Sequence, residues 1–94
     1  MLEIKKEDDG RKGRYALYTD GDYAGEMTFT WAGEDKFIID HTGVEEGFGG
    51  KGFGKILVME AVKFARAEGL KILPLCPFAK AEFDKNQEIN DVRF

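Results

Sequence analysis

Gly47-Phe48-Gly49-Gly50-Lys51-Gly52-Phe53-Gly54-Lys55 is the stretch on which the reading of this chain turns. It follows an apolar run ending near His41 and precedes a segment with helical spacing, Ile56 to Ala67, so it reads as a strand-to-helix turn. Such a turn is a natural anion site. Glycines let the backbone approach an oxygen-rich ligand without a Cβ in the way, and the first N–H groups of the following helix have no partner inside it. Their partial positive charge points at the ligand. Five glycines in nine residues would weaken a segment that served only as regular structure. A phosphate or pyrophosphate is the ligand expected to offset that conformational cost, and Lys51 and Lys55 add local positive charge.

On the N-terminal side of this turn the pattern is that of strands. Leu2 and Ile4 alternate with charged residues in a short strand, and Asp8-Asp9-Gly10 supplies a turn. Arg14 to Thr19 alternates again, Asp20-Gly21-Asp22 reads as a tight hairpin turn, and Tyr23 to Trp31 returns with Met27, Phe29 and Trp31 on one face. Gly33-Glu34-Asp35 closes that strand, and Phe37 to Thr42 is the fourth. Tyr15, Tyr18, Phe29, Trp31 and Phe37 belong to the core or its rim by strand alternation.

On the C-terminal side the period changes. From Gly54 to Glu68, Leu57, Val58, Ala61, Val62, Phe64 and Ala65 form an apolar arc with Lys55, Lys63 and Arg66 opposite, which predicts a helix packed on a sheet. Gly69 is placed to end it, and Lys71 to Leu75 follows as a short buried strand. Cys76-Pro77 breaks that strand, and Phe78 to Lys85 predicts a second helix with Phe78, Ala79 and Phe83 facing inward. Asn86 to Phe94 either covers a sheet edge or contacts a second subunit. The fold class is therefore α+β with a mixed sheet: antiparallel N-terminal strands, then a strand-helix-strand crossover and a C-terminal helix.

The 94 residues suit one domain, residues 1–94, with a single core. A hydrophobic fraction of 43% and a charged fraction of 34% are those of a soluble globular protein, and no apolar run approaches the roughly 20 residues of a membrane helix. Met1 to Gly10 alternates acid and base, unlike a secretory signal peptide. A single cysteine forms no internal disulfide and suits a reducing compartment, the cytoplasm first and the nucleus as an alternative. A net charge of −4 argues against broad nucleic-acid binding and favours an amine or basic partner.

Several motifs compete for the glycine turn. Gly49-x-x-x-x-Gly54-Lys55 has the outline of a Walker A loop, but Ile56 stands where Ser or Thr would hold magnesium. Gly47-x-Gly49-x-x-Gly52 matches the bare dinucleotide fingerprint, yet the next strand ends Pro74-Leu75-Cys76 with no acid for a ribose. The third reading is Gly52-x-Gly54 opening a helix around a pyrophosphate. Here the residues resemble the GNAT acetyltransferase superfamily, whose acetyl-CoA loop has the form Gln/Arg-x-x-Gly-x-Gly/Ala, and in particular its small single-domain, NATD1-like members. Asp40-His41-Thr42-Gly43-Val44, Gly50-Lys51-Gly52-Phe53-Gly54-Lys55 and Leu75-Cys76-Pro77-Phe78-Ala79-Lys80 carry the resemblance in matching order and spacing. The chain departs from the pattern at Gly49, where Gln or Arg is expected, and lacks the helical insertion that larger members carry between their first two strands.

The resemblance implies a GNAT fold whose fourth and fifth strands splay apart, leaving a slot for the pantetheine arm of coenzyme A. It implies acetyl transfer from acetyl-CoA, with no metal, to a small amine or a lysine-containing acceptor, by a monomer or weak homodimer. Thr42, Val44, Gly49, Gly50, Lys51, Gly52, Phe53, Gly54, Lys55, Phe78 and Lys80 are the implied cofactor-binding residues. His41 and Cys76, each the only residue of its type, are the implied catalytic pair. Histidine is the side-chain type whose ordinary pKa lies near neutrality, and a cysteine preceding a helix is biased toward thiolate. In one route the amine attacks the thioester directly, with His41 as base and Cys76 protonating the leaving thiolate. In the other, Cys76 is acetylated first, with His41 drawing off its proton. Backbone N–H groups near Val44 are candidates to polarise the thioester carbonyl. A CoA-holding module without turnover is the alternative function, and a thiol sensor using Cys76 a third.

Overall fold

The structure, a computed structural model, describes residues 1–94. Four strands, β1 (Leu2–Asp8), β2 (Lys12–Thr19), β3 (Asp22–Trp31) and β4 (Lys36–Val44), run antiparallel to one another in sequence order. β5 (Lys71–Pro74) then adds parallel to β4, giving a five-stranded sheet in the order β1-β2-β3-β4-β5. The crossover is α1 (Phe53–Glu68), and α2 (Pro77–Lys85) and a 3₁₀ helix (Gln87–Val92) complete the chain. This is the α+β mixed sheet that the sequence pattern predicts. The strands run longer than expected: β1 continues to Asp8 and β4 to Val44.

Local chemistry accounts for the turns. Asp20 and Gly21 both have positive φ, 51° and 88°, the backbone that joins two right-twisted strands through two residues. Gly69 ends α1 in the left-handed conformation, and Leu70 N–H donates to Ala65 O at 2.8 Å. Strand alternation puts Leu17, Met27, Phe29, Phe37, Ile39 and Ile72 on one face, where they meet Leu57, Val58, Ala61, Val62 and Ala65 of α1 in a single core. Ala79 and Phe83 of α2 join the same cluster. On the opposite face Arg14, Glu26, Thr28, Thr30 and His41 stay wholly or partly exposed.

One expectation needs revision. Phe78 is 42% exposed rather than inward-facing. Its ring lies across Gly54, where a Cβ would come within 2.6 Å of Phe78 Cζ, so the absence of a side chain on α1 makes room for an aromatic ring outside the core. The C-terminal segment covers the sheet edge at β5: Ile89 and Val92 are buried, Phe94 N–H donates to Ile72 O at 2.8 Å, and Arg93 bridges Ile72 in parallel. Phe94 itself is exposed.

The feature that positions the site is where β4 and β5 part. Their pairing ends at Ile39 opposite Pro74, and the Ile39 carbonyl accepts both the Leu75 and Cys76 amides, at 3.2 and 3.1 Å. Pro77 then opens α2, which carries the chain away. β4 continues alone on that side from Asp40 to Val44. Ile39 pairs with Phe29 but His41 with Thr28, so Asp40 is the extra residue of a bulge that bends β4 as it leaves β5. The expected splay is therefore present.

β3 presses closely on β4 beside this gap. A Cβ on buried Gly25 would lie 2.6 Å from Gly43 O and 3.1 Å from Val44 Cα, both backbone atoms. Gly49, by contrast, has nothing within 4 Å. Urea denaturation should therefore show Gly25→Ala destabilised by about 1–3 kcal/mol, the usual cost of overpacking, and Gly49→Ala near wild type.

Candidate active site

The glycine loop leads from β4 into α1 with positive φ at Gly47, Gly50 and Gly52. Gly52 is the N-cap of α1 and offers no side chain to its amides, and the first turn holds no acid. Phe48 N–H returns to Glu45 O and Ile56 N–H to Gly52 O, but no group of the chain accepts from the amides between Gly49 and Lys55. Consecutive free amides in mixed left- and right-handed backbone form a concavity for an anion. Lys51 and Lys55 beside them add charge of the right sign.

These amides open onto a cleft of about 540 Å³. The loop and the start of α1 form one wall, through Gly49, Gly50, Gly52, Phe53, Gly54 and Lys55; Thr42 and Val44 of β4 form the far end; Phe78, Glu82 and Lys85 of α2 close the side. Phe48 also lines it and stacks on Phe53 with ring centroids 6.1 Å apart. Nine of the expected cofactor-binding residues thus border one cleft: Thr42, Val44, Gly49, Gly50, Gly52, Phe53, Gly54, Lys55 and Phe78. Lys51 sits on the loop without lining it. Lys80 does not reach it, and its ammonium pairs with Asp84 at 2.9 Å, one turn along α2.

Three lining residues escaped sequence reading. Phe48 lay inside the quoted loop and was the only signal available, an aromatic among glycines. Glu82 and Lys85 carry no sequence signal beyond two charges three residues apart on a short helix, yet Glu82 is 5% exposed and bonded to Lys85 at 2.9 Å. Its burial comes from tertiary packing of α2.

His41 and Cys76 occupy different surroundings, and neither borders the cleft directly. The imidazole of His41 is exposed and folds over Gly43, where a Cβ would meet Nε2 at 2.8 Å. His41 and Gly43 therefore share one face of β4, and Thr42 between them points to the other. Cys76 is 4% exposed and lies on the Thr42 side. No hydrogen bond joins the two implied catalytic residues. Burial pushes the Cys76 thiol up, but the Ala79 amide, the Thr42 side chain and the amides of Phe78 and Thr42 all stabilise ionised sulfur, and together they hold the thiol below its ordinary value. No three His, Cys, Asp or Glu side chains come together as a metal-binding group. No helix is long and apolar enough to cross a membrane.

Comparison with known proteins agrees with this geometry. Residues 14–92 match the profile of the family described as GCN5-related N-acetyl-transferase. The solution structure of a GCN5-like protein of Staphylococcus aureus is 32% identical, with a TM-score of 0.77 over 98% of this chain and 87% of that one. A ribosomal-protein-alanine N-acetyltransferase of Brucella melitensis (20% identity, TM-score 0.72) shares the fold over 82% of this chain. So does a GNAT family acetyltransferase of Elizabethkingia anophelis with acetyl-CoA bound (13%, 0.68) over 78%. The chain spans only 62% and 63% of these two proteins' lengths. No curated protein matches the chain. With a family profile covering most of its length and a close structural relative over nearly all of it, the chain belongs to the GCN5-related N-acetyltransferase family.

Proposed function

We propose that this protein is a small single-domain, NATD1-like N-acetyltransferase that moves an acetyl group from acetyl-CoA to an amine, free or on a lysine side chain. The observation that carries the reading is the row of unpartnered amides from Gly49 to Lys55, opening onto a cleft that ends at Thr42 with Cys76 behind it. These residues fit the group. A diphosphate offers acceptors to amides that have none in the protein, Lys55 and Lys85 line the same cleft, and the backbone edge of β4 turned away from β3, from Asp40 to Val44, is free to meet an amide-bearing arm. Backbone amides serve where the family pattern would place Gln or Arg and this chain has Gly49. When bound, acetyl-CoA supplies the acetyl group as a thioester.

The two faces of β4 divide the work. Cys76, its sulfur biased toward thiolate by α2 amides, accepts the acetyl group from the cleft side, its C–S bond forming as that to the coenzyme A sulfur breaks and coenzyme A leaves as its thiolate. His41, on the open face, takes the proton from the incoming ammonium; the deprotonated amine then attacks the acetyl carbon, loses its second proton to solvent, and releases the Cys76 thiolate. Support for a cationic acceptor is the exposed Asp40 beside His41 and the net charge of −4.

Incubation with acetyl-CoA alone, followed by mass spectrometry, should show one acetyl group on Cys76 and none on the Cys76→Ala variant. Turnover without such an adduct would assign the direct route. With polyamines, lysine peptides and small amines as acceptors, His41→Ala should lower kcat by about 10²–10⁴-fold while leaving CoA affinity by calorimetry unchanged. Binding without turnover, indifferent to both substitutions, would make the protein a CoA-holding module.

Gly52→Val tests the loop itself. A β-branched residue at φ 76° is strained and disturbs the free amides, so CoA affinity should fall by more than tenfold, with a stability cost of about 1–2 kcal/mol.

A further inference from the structure

β1 closes one side of the sheet, and its outer edge has no partner strand. Which backbone groups that edge presents follows from its ladder with β2. Asp20 N–H donates to Met1 O and Asp9 N–H to Lys12 O, so the odd-numbered residues of β1 direct their amides and carbonyls at β2. Leu2, Ile4 and Lys6 direct theirs outward. α1 lies against β2 to β5 and leaves the edge clear. Charges on an edge strand ordinarily oppose pairing with another chain, and β1 is mostly charged. Two of its charges are nevertheless unspent. Glu3 and Lys5 share the open face with Arg14, yet neither has an ion-pair partner in the chain, whereas Glu7 is bonded to Arg14 at 3.1 Å. Lys5 lies only over the Tyr18 ring, 5.1 Å from its centroid.

We propose that β1 pairs antiparallel with β1 of a second copy of this chain, about a two-fold axis at Ile4, joining two five-stranded sheets into one. In this register the two copies of Ile4 face each other through outward backbone groups, and Glu3 of each copy faces Lys5 of the other. Leu2, 42% exposed in the single chain, is covered by the aliphatic stem of Lys6 from the other copy. No other register balances the charges. A slip by two residues is the smallest that keeps outward-facing groups opposite one another. One direction sets Lys5 against Lys5 and Glu3 against Glu7, and the other sets Glu3 against Glu3. The cleft lies at β4 and α2, across the sheet from β1, so the pairing leaves it open and stands apart from the transferase reading.

Sedimentation equilibrium of the full chain, carried to about 1 mM protein because a short strand pair buries less than a standard interface, should show monomer and dimer in exchange. Glu3→Lys and Lys5→Glu each set like charges together on both sides of the axis, and at low salt each should weaken association by about tenfold or more. The two variants mixed in equal amounts should associate again, as should the chain carrying both substitutions. Both side chains are exposed, so neither change threatens the fold. Amide hydrogen exchange reads the edge directly: Ile4 and Lys6 should slow as concentration rises, while Glu3 and Lys5, whose amides face β2, should not change. A dimer indifferent to the two charge reversals, or one that mixing fails to restore, would overturn the proposal. So would a chain that stays monomeric throughout, which would leave the edge to an extended segment of another protein.

Discussion

One carbonyl sets the geometry on which the site depends. Ile39 O receives the Leu75 and Cys76 amides together, and that shared acceptor is the last link between β4 and β5. Beyond it one strand runs on and the other turns into α2, because Pro77 has no amide to continue a ladder and favours the first turn of a helix. A longer β5 would close the gap with its own hydrogen bonds. The open backbone edge of β4 is thus a consequence of where two prolines fall in a short segment.

The gap alone would be an unprotected sheet edge. The glycine loop and α2 wall it in, and the loop is held in place from below. Phe53 and Gly54 are buried at the start of α1, and Leu57, Val58, Ala61, Val62 and Ala65 fasten the helix to the sheet. Conformational freedom lost at the glycines is offset by this packing, not by hydrogen bonds within the loop. That allows the amides from Gly49 to Lys55 to stay free in a folded protein. The loop is pre-organised because its helix is anchored.

How far the sequence could be read follows from the range of each interaction. Asp-Gly turns, strand alternation and the α1 stripe are local patterns, and the strand order and helix positions followed from them. The glycine loop was legible for the same reason, since its glycines and lysines are contiguous. Phe78 was misread because the stripe of a nine-residue helix does not say that Gly54, on another helix, leaves room for its ring. Glu82 gave no sign of burial, as its neighbours come from α1 and the cleft. Asn86 to Phe94 could not be decided without knowing that β5 leaves an edge to be covered.

The subtlest point was the relation between His41 and Cys76. Both were expected near the thioester at ends of adjacent strands, but β4 runs past His41 to Val44, and adjacency of strands does not specify a face. Alternation along β4 turns His41 and Gly43 one way and Thr42 the other, and the bulge at Asp40 sets which way each faces beyond Ile39. In a regular strand of the same sequence the parity of Phe37 and Ile39 would send His41 to the buried face and Thr42 to the open one, whereas the bulge sets His41 opposite Thr28 and Thr42 opposite buried Met27. The bulge thus places Thr42, not His41, on the face of β4 that lines the cleft. The imidazole is left exposed on the open face of β4, and the thiol is buried on the other.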